Sequence, residues 1–415
     1  MRILWVKAGK LLPVDTGGKI RSFNILQQLA SSHALTLLTY YVGDRDREYE
    51  RAMADQFAGA VTVHTPAPET TIRKAAHYAL RLPRRAPYAV TRFTAAPVSR
   101  LVHDWLATRQ FDVAICDFLA PAENFPTKSP VPRVLFQHNV ESMLWDRRAA
   151  GEPHPVKRRF YALEAAKMSR FERRTVRSFD HVIAVSDIDR DAMSSMTAPE
   201  HISVVPTGVD TTRFVPGTEP STAGLVLFLG SMDWEPNIDG VEYFCRSIWP
   251  RVRHEVPDAR FRVVGRQPGP STQRLASESI EITGTVPSVL GHLQAASVVV
   301  VPLRIGGGTR LKIYEAMAAG KAVVSTSIGA EGLDVTPGVD IILADEPERF
   351  AAAIVRLLRE RDHREALERR ALALARRFDW ANVSRRFERA LETVVSGASR
   401  SERSTTCETP AAPPG

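Results

Sequence analysis

The sequence predicts an α/β protein built from two Rossmann-like halves, each a doubly wound parallel sheet. Three observations carry that prediction. At 415 residues the chain exceeds one ordinary core and fits two domains, which implies a cleft. Strand-sized apolar runs alternate with helical stretches, the pattern of parallel βαβ units. The alternation stops in a Pro-, Gly- and Thr-rich stretch between Pro206 and Gly224 and then begins again.

Taken in order, Arg2 to Lys7 reads as a buried strand and KLLPVDTGGK as a loop. Ile20 to Ser31 follows as a helix, with Ile20, Phe23, Ile25, Leu26 and Leu29 at helical spacing. ALTLLTYYV supplies the second strand, and DVAICD, PRVLFQH and DHVIAVS supply others between helical stretches. Ser186 and Asp187, after HVIAV, suit a helix cap. Beyond the junction come LVLFLG, a helix around Gly240 to Arg251, the strands ARFRVVG, IEITGTV and ASVVVVPL, a further helix, and the strand AVVSTS. Helices over 346–361 and 364–377 and an amphipathic segment, Trp380 to Val395, complete the folded part. These readings set a first domain at residues 1–206, a second at 207–379, a last helix at 380–396 and a Ser-, Thr-, Pro- and Ala-rich disordered tail at 397–415.

A net charge of +8 and a pI near 9.6 favour an anionic partner, and nucleotide phosphates, an anionic membrane surface and nucleic acid all qualify. The basic run between Trp145 and Arg177 reads equally as a solvated helix face or as a dock for anionic lipid. Nucleic acid is not expected, because no aromatic-interleaved basic strand or recognition motif accompanies the charge. Cys116, Cys245 and Cys407 are scattered and form no disulfide framework, which points to a reducing cytoplasm. MRILWVKAG is too brief for a signal peptide, and no run approaches the roughly 18 apolar residues of a membrane span. Membrane contact is therefore expected to be peripheral, on the inner face of the plasma membrane.

The run RIGGGTRLKIYEAMAAG, residues 304–320, carries the main chemical signal. A strand, a glycine loop and a helix starting near Thr309 aim backbone N–H groups at one spot, which attracts anions. Gly306, Gly307 and Gly308 let the backbone approach a ligand, and Thr309 can cap the helix or meet a phosphate. Arg310 and Lys312 oppose the helix dipole by about 0.3–1 kcal/mol each while the site is empty, and a bound diphosphate reverses that sign. Glu315 lies one turn deeper, where its carboxylate can accept both hydroxyls of a ribose. Taken singly, chance surface cations and an exposed helix glutamate explain the same residues.

From Pro302 to Thr326 the chain resembles the nucleotide-sugar motif of family 4 glycosyltransferases, retaining enzymes of the GT-B fold. Gly17-Gly18, VVPTGVDTTRF, FLGSMDWEPN, VVGRQP and ITGTV extend the likeness, nearest to sugar transferases of bacterial exopolysaccharide clusters. The resemblance implies two facing Rossmann-like domains with a C-terminal crossover helix. It also implies a UDP- or GDP-sugar donor and a saccharide or lipid-linked saccharide acceptor. Gly17, Gly18, Ser231, Val286, Gly307, Gly308, Thr309, Arg310, Leu311, Lys312 and Glu315 would hold the donor, with His138, Arg310 and Lys312 acting in catalysis. Glu315 matches the second of the family's two motif glutamates, and Gly307 stands where the first is usual. The Arg and Lys common after the strand opening the second domain are missing from GSMDWEPNID. Arg310 and Lys312 are expected to neutralise the phosphates in their place.

In the first half, Gly17 and Gly18 precede a helix whose first turn carries Lys19 and Arg21, an arrangement that fits a phosphate or an acceptor. His138 ends PRVLFQH at the carboxyl edge of a sheet, where it can donate to a sugar hydroxyl or phosphate, with Glu141 to orient it. Asp117 closes DVAICD at a similar level, where helix capping would also explain it. No metal ligand cluster is expected: the histidines are dispersed, no DxD lies near the glycine loop, and the DRD at Asp44 to Asp46 reads as a solvated turn. Two rivals remain open, a sugar-nucleotide epimerase of the same architecture and a non-catalytic nucleotide-sugar-binding subunit. A dinucleotide dehydrogenase is disfavoured because the first βα turn lacks GxGxxG.

Overall fold

The computed structural model of the chain describes residues 1–66, 78, 80–81, 84–306 and 310–406, with the backbone course alone from 398. Contacts divide the chain into two units, Met1–Val205 with the stretch from Ser384, and Pro206–Val383. The first unit holds β1 (Arg2–Ala8), β2 (Ala34–Val42), β3 (Ala60–Thr65), β4 (Val113–Asp117), β5 (Arg133–Phe136), β6 (His181–Ala184) and β7 (Ile202–Val204). They form one sheet in the order β3-β2-β1-β4-β5-β6-β7, parallel throughout. The second unit holds β8 (Leu225–Leu229), β9 (Arg260–Val264), β10 (Ile280–Gly284), β11 (Val298–Val301), β12 (Ala322–Ser325) and β13 (Ile342–Leu343). Their order is β10-β9-β8-β11-β12-β13, again all parallel. Each unit is thus the doubly wound α/β lobe that the alternation predicted.

Central strands are covered on both faces, so they read as continuous apolar runs: all of LVLFL and VVVV is buried. The strands that the sequence did not reveal, β3, β7 and β13, are edges. AVTVHT is only half-buried along its length and IL is two residues long, so neither shows a sustained apolar run. Several helices also shift. Gly17–Ser32 starts three residues earlier than its apolar spacing suggests, which places both glycines in its first turn. The helix expected around Gly240 runs from Glu235 to Tyr243, passes through a wider turn at Phe244–Ile248 and resumes as Trp249–Glu255, with Pro250 in its first turn.

The last helix runs from Trp380 to Thr406, past residue 396 where the sequence reading ends it; residues 407–415 lie outside the described chain. No proline interrupts it before Pro410. Its start is fixed in the second unit. Val209 N–H donates to Phe378 O at 2.9 Å, Trp380 N–H donates to Val209 O at 3.2 Å, and Asp379 accepts Thr211 Oγ1–H at 2.5 Å. From Ser384 onward it belongs to the first unit, where Phe387 is fully buried. The Phe387 ring stacks on Trp5 at 5.6 Å and meets Phe136 edge-on at 5.0 Å. Truncating so buried a ring costs about 3–5 kcal/mol, so this helix is an integral part of the N-terminal core.

Candidate active site

In a parallel sheet, ligands gather outside the strand carboxyl ends where the strand order reverses. Here the reversals lie between β1 and β4 in one unit and between β8 and β11 in the other. A polar cluster stands at each.

In the N-terminal unit, sheet register sets Lys7 on β1 directly beside Asp117 on β4. Asp117 Oδ2 accepts from Trp5 Nε1 at 3.1 Å, Lys7 Nζ at 3.0 Å and Ser22 Oγ at 2.7 Å, and Oδ1 meets His138 Nε2 at 2.8 Å. The carboxyl is buried, which by itself would raise its pKa, but Lys7 and His138 outweigh that and hold it well below the usual carboxylate range. Being ionised, Asp117 can only accept, so His138 carries its proton on Nε2. Burial pulls His138 down to about 4 against the pull of Asp117, with Arg21 and Lys7 adding to the fall. The ring is therefore neutral at pH 7, clamped between Phe118 at 4.0 Å and Phe136 at 4.3 Å. Its remaining nitrogen, Nδ1, is buried and has no hydrogen-bond partner among the described residues.

That nitrogen faces the first turn of Gly17–Ser32. A Cβ on Gly18 would touch Nδ1 at 3.6 Å and crowd Phe118 Cε2 at 3.2 Å, so a side chain there would press on the ring stacked against the histidine. The sequence reading thus needs three corrections. Asp117, not Glu141, orients His138; Glu141 instead accepts Asn139 Nδ2–H at 2.6 Å. With its proton committed to Asp117, His138 presents an acceptor rather than a donor. Arg21 points into the protein and is 3% exposed, and Lys19 pairs with Asp15 at 2.9 Å, so neither repeats the exposed cations expected there. Asp46 of the DxD caps the helix Arg47–Gln56 by accepting Tyr49 N–H, and Ser186 caps Asp187–Met193.

In the C-terminal unit the helix after β11 spans Leu311–Ala318, with Arg310 at the cap position. Gly307, Gly308 and Thr309 lie outside the described residues. Arg310 is 4% exposed, its guanidinium 5.4 Å from the Trp234 ring. Lys312 reaches across to the first turn of the helix Glu235–Tyr243, donating to Asn237 Oδ1 at 2.8 Å above the Phe228 ring. A Cβ on Gly230 would lie 2.7 Å from Lys312 Nζ, so glycine is what admits the ammonium to the loop after β8. The lysine therefore enters the very segment, GSMDWEPNID, from which cations are missing. Burial lowers Lys312 to about 7, Arg310 pushes the same way and Glu315 opposes. Burial likewise raises Glu315 to about 7, against Arg213 and Lys312.

Of the other predicted donor residues, Leu311 opens the helix half-buried. Ser231 follows Gly230; its hydroxyl accepts Arg266 Nε–H at 2.7 Å and its carbonyl accepts Asn237 Nδ2–H at 2.8 Å. Val286 stands apart, after β10, packed against the core. Sequence reasoning missed Asn237, Trp234 and Arg213 here, and Lys7 and Ser22 in the other unit. A lysine inside the apolar run RILWVKA was the one visible signal, since a buried cation demands a carboxylate. Among the described residues no group of His, Cys, Asp and Glu could hold a metal ion.

Residues 23–213 match the family model described as glycosyltransferase family 4, and residues 223–360 match that of glycosyl transferases group 1. Both halves of the chain therefore match glycosyltransferase families. Its two Rossmann-like lobes with helical connectors are consistent with the GT-B architecture. His138 falls within the first match, and the Gly230–Asn237 segment with Arg310, Lys312 and Glu315 falls within the second. The chain is similar to the phosphatidyl-myo-inositol mannosyltransferase of Mycolicibacterium smegmatis, 29% identical over 52% of this chain and 58% of that protein. It is also similar to an uncharacterized 44.6 kDa protein in the cps region of Klebsiella pneumoniae, 24% identical over 60% of this chain and 65% of that one. The match thus spans about three-fifths of these curated relatives. Among solved structures, Anabaena HepE in complex with UDP superimposes with a TM-score of 0.66 at 15% identity, covering 95% of this chain and 100% of that one, which supports the fold.

Proposed function

We propose that this protein is a retaining glycosyltransferase of family 4, moving a sugar from a UDP- or GDP-sugar to a hydroxyl of a saccharide acceptor in exopolysaccharide or other cell-surface glycan synthesis. One observation carries the reading. Arg310 and Lys312 converge at the β8/β11 reversal, with Lys312 held near neutrality, and Glu315 stands one turn along the same helix. A nucleoside diphosphate completes this set: the diphosphate charges Lys312 and accepts from Arg310, while the ribose hydroxyls donate to Glu315. Charge-assisted hydrogen bonds of this kind contribute about 1.5–3 kcal/mol each.

In the reaction the bond between the anomeric carbon and the β-phosphate oxygen breaks. The acceptor oxygen bonds to the same face of that carbon, and the acceptor proton leaves on the departing diphosphate. Arg310 and Lys312 stabilise the charge that builds up on the leaving group. The acceptor nitrogen of His138, fixed by Asp117, takes a hydrogen bond from a sugar hydroxyl and so orients it. The phosphatidyl-myo-inositol mannosyltransferase supports sugar transfer, and the UDP complex of HepE supports a nucleotide donor.

Calorimetry with a panel of UDP- and GDP-sugars, then product analysis with saccharide acceptors and assignment of the new anomeric configuration, tests this. A donor-dependent glycoside of retained configuration is expected. Isomerised donor without acceptor would establish an epimerase instead, and binding without turnover a non-catalytic subunit.

A further inference from the structure

The helix Pro155–Ser178 is anchored on one side. Met168, Phe171, Thr175 and Val176 are buried, Glu164 accepts Tyr88 N–H at 2.8 Å, and Glu172 accepts Glu141 and Ser142 N–H at 2.8 and 3.0 Å. Its beginning is different. Residues 153–160 are exposed without a break, so the first turns stand clear of the core. On them Val156, Phe160 and Leu163 are 68%, 37% and 48% exposed, spaced four and three residues apart and so on one face. Tyr78 packs its ring 5.7 Å from Phe160, and Leu80 close by in sequence is 80% exposed.

The exposed charge on this helix has one sign. Every exposed charge on the helix is positive, from Lys157, Arg158 and Arg159 to Arg177, because both of its acids, Glu164 and Glu172, are buried. On the preceding helix, Glu141–Gly151, the Arg148 guanidinium lies 4.5 Å from the Tyr161 ring and 5.9 Å from that of Trp145. Apolar side chains on a projecting end, ringed by cations and by aromatic groups with polar tips, match the boundary between acyl chains and anionic headgroups.

We propose that the projecting start of Pro155–Ser178 docks this protein onto an anionic lipid bilayer, with Val156, Phe160 and Leu163 entering the headgroup boundary and Lys157, Arg158 and Arg159 meeting lipid phosphates. Nucleic acid would use the cations but leave the apolar stripe without purpose. Docking needs no sugar transfer, so its test and that of the proposed reaction fail separately.

The test is co-sedimentation of the full chain with vesicles of phosphatidylcholine alone or with about 30% phosphatidylglycerol. The wild type should bind the anionic vesicles and hardly the neutral ones. Phe160→Asp with Leu163→Asp, and separately Arg158→Glu with Arg159→Glu, should each weaken that binding about tenfold or more. These side chains are exposed, and circular dichroism checks the fold. As a second readout, a tryptophan introduced by Phe160→Trp should be quenched by brominated anionic lipid. No anionic preference, wild-type binding by the Phe160/Leu163 variant, absent quenching, or competition by RNA that ignores that variant would each overturn the assignment.

Discussion

At the end of β4 one carboxylate collects donors from Trp5, Lys7, Ser22 and His138, and its charge is met by the Lys7 ammonium at 3.0 Å. At the start of Leu311–Ala318 two cations press on each other, and Lys312 donates to a neutral amide. The first cluster is complete without a ligand, so it fixes geometry: it sets the His138 tautomer and aims Nδ1. In the second, like charges adjoin, and the proposed function makes it the seat of an anion. The same fold position, the carboxyl edge at a reversal of strand order, serves both ends.

If this contrast is real, removing the key charge should move stability in opposite directions. Asp117→Ala leaves Lys7 buried without its carboxylate, and we expect a loss of about 3–5 kcal/mol in denaturant unfolding at neutral pH. Because the Asp117 pKa is depressed on folding, that contribution exists above the unfolded carboxylate range and fades as pH falls through the folded value. The variant should therefore converge on wild type in strong acid; equal stability at pH ~7 would break the comparison.

Lys312→Met should do the reverse. With its pKa lowered from 10.5 to about 7, the lysine costs folding stability at and below neutral pH, a cost that vanishes as pH rises toward 10.5. Partial exposure and the lost bond to Asn237 reduce the gain, so we expect about 1–2 kcal/mol at pH ~7 in the unliganded protein. A destabilised variant would show that the lysine is structural.

The smallest effect is a proton count. Binding of a UDP- or GDP-sugar raises the Lys312 pKa and lowers that of Glu315, each near 7 beforehand. Calorimetry in buffers of differing ionisation enthalpy should show uptake approaching one proton at pH ~8 and release at pH ~6. Lys312→Arg should abolish the uptake and Glu315→Gln the release; a count that keeps one sign across that range would assign the titration elsewhere.

The sequence made the central strands visible because apolar runs are local signals. It placed Lys312 and Glu315 on one helix, with Arg310 at its start, because helical spacing is likewise local. What it hid depends on distant pairing: the register of Lys7 with Asp117, the reach of Lys312 to Asn237, and the half-buried edge strand AVTVHT. The role of His138 was misread because a histidine at a strand end looks alike whether its proton is offered to a ligand or committed to a buried carboxylate. The basic run from Trp145 was legible as charge, yet only the fold shows that its acids turn inward and leave Val156, Phe160 and Leu163 outside.

The most direct test of the account is titration of UDP and GDP into the wild type and into the Arg310→Ala/Lys312→Ala variant at pH ~7, with folding checked by circular dichroism. Loss of two charge-assisted contacts predicts affinity weaker by about 100-fold or more for whichever nucleotide the wild type binds. A folded variant that binds that nucleotide with wild-type affinity would contradict it.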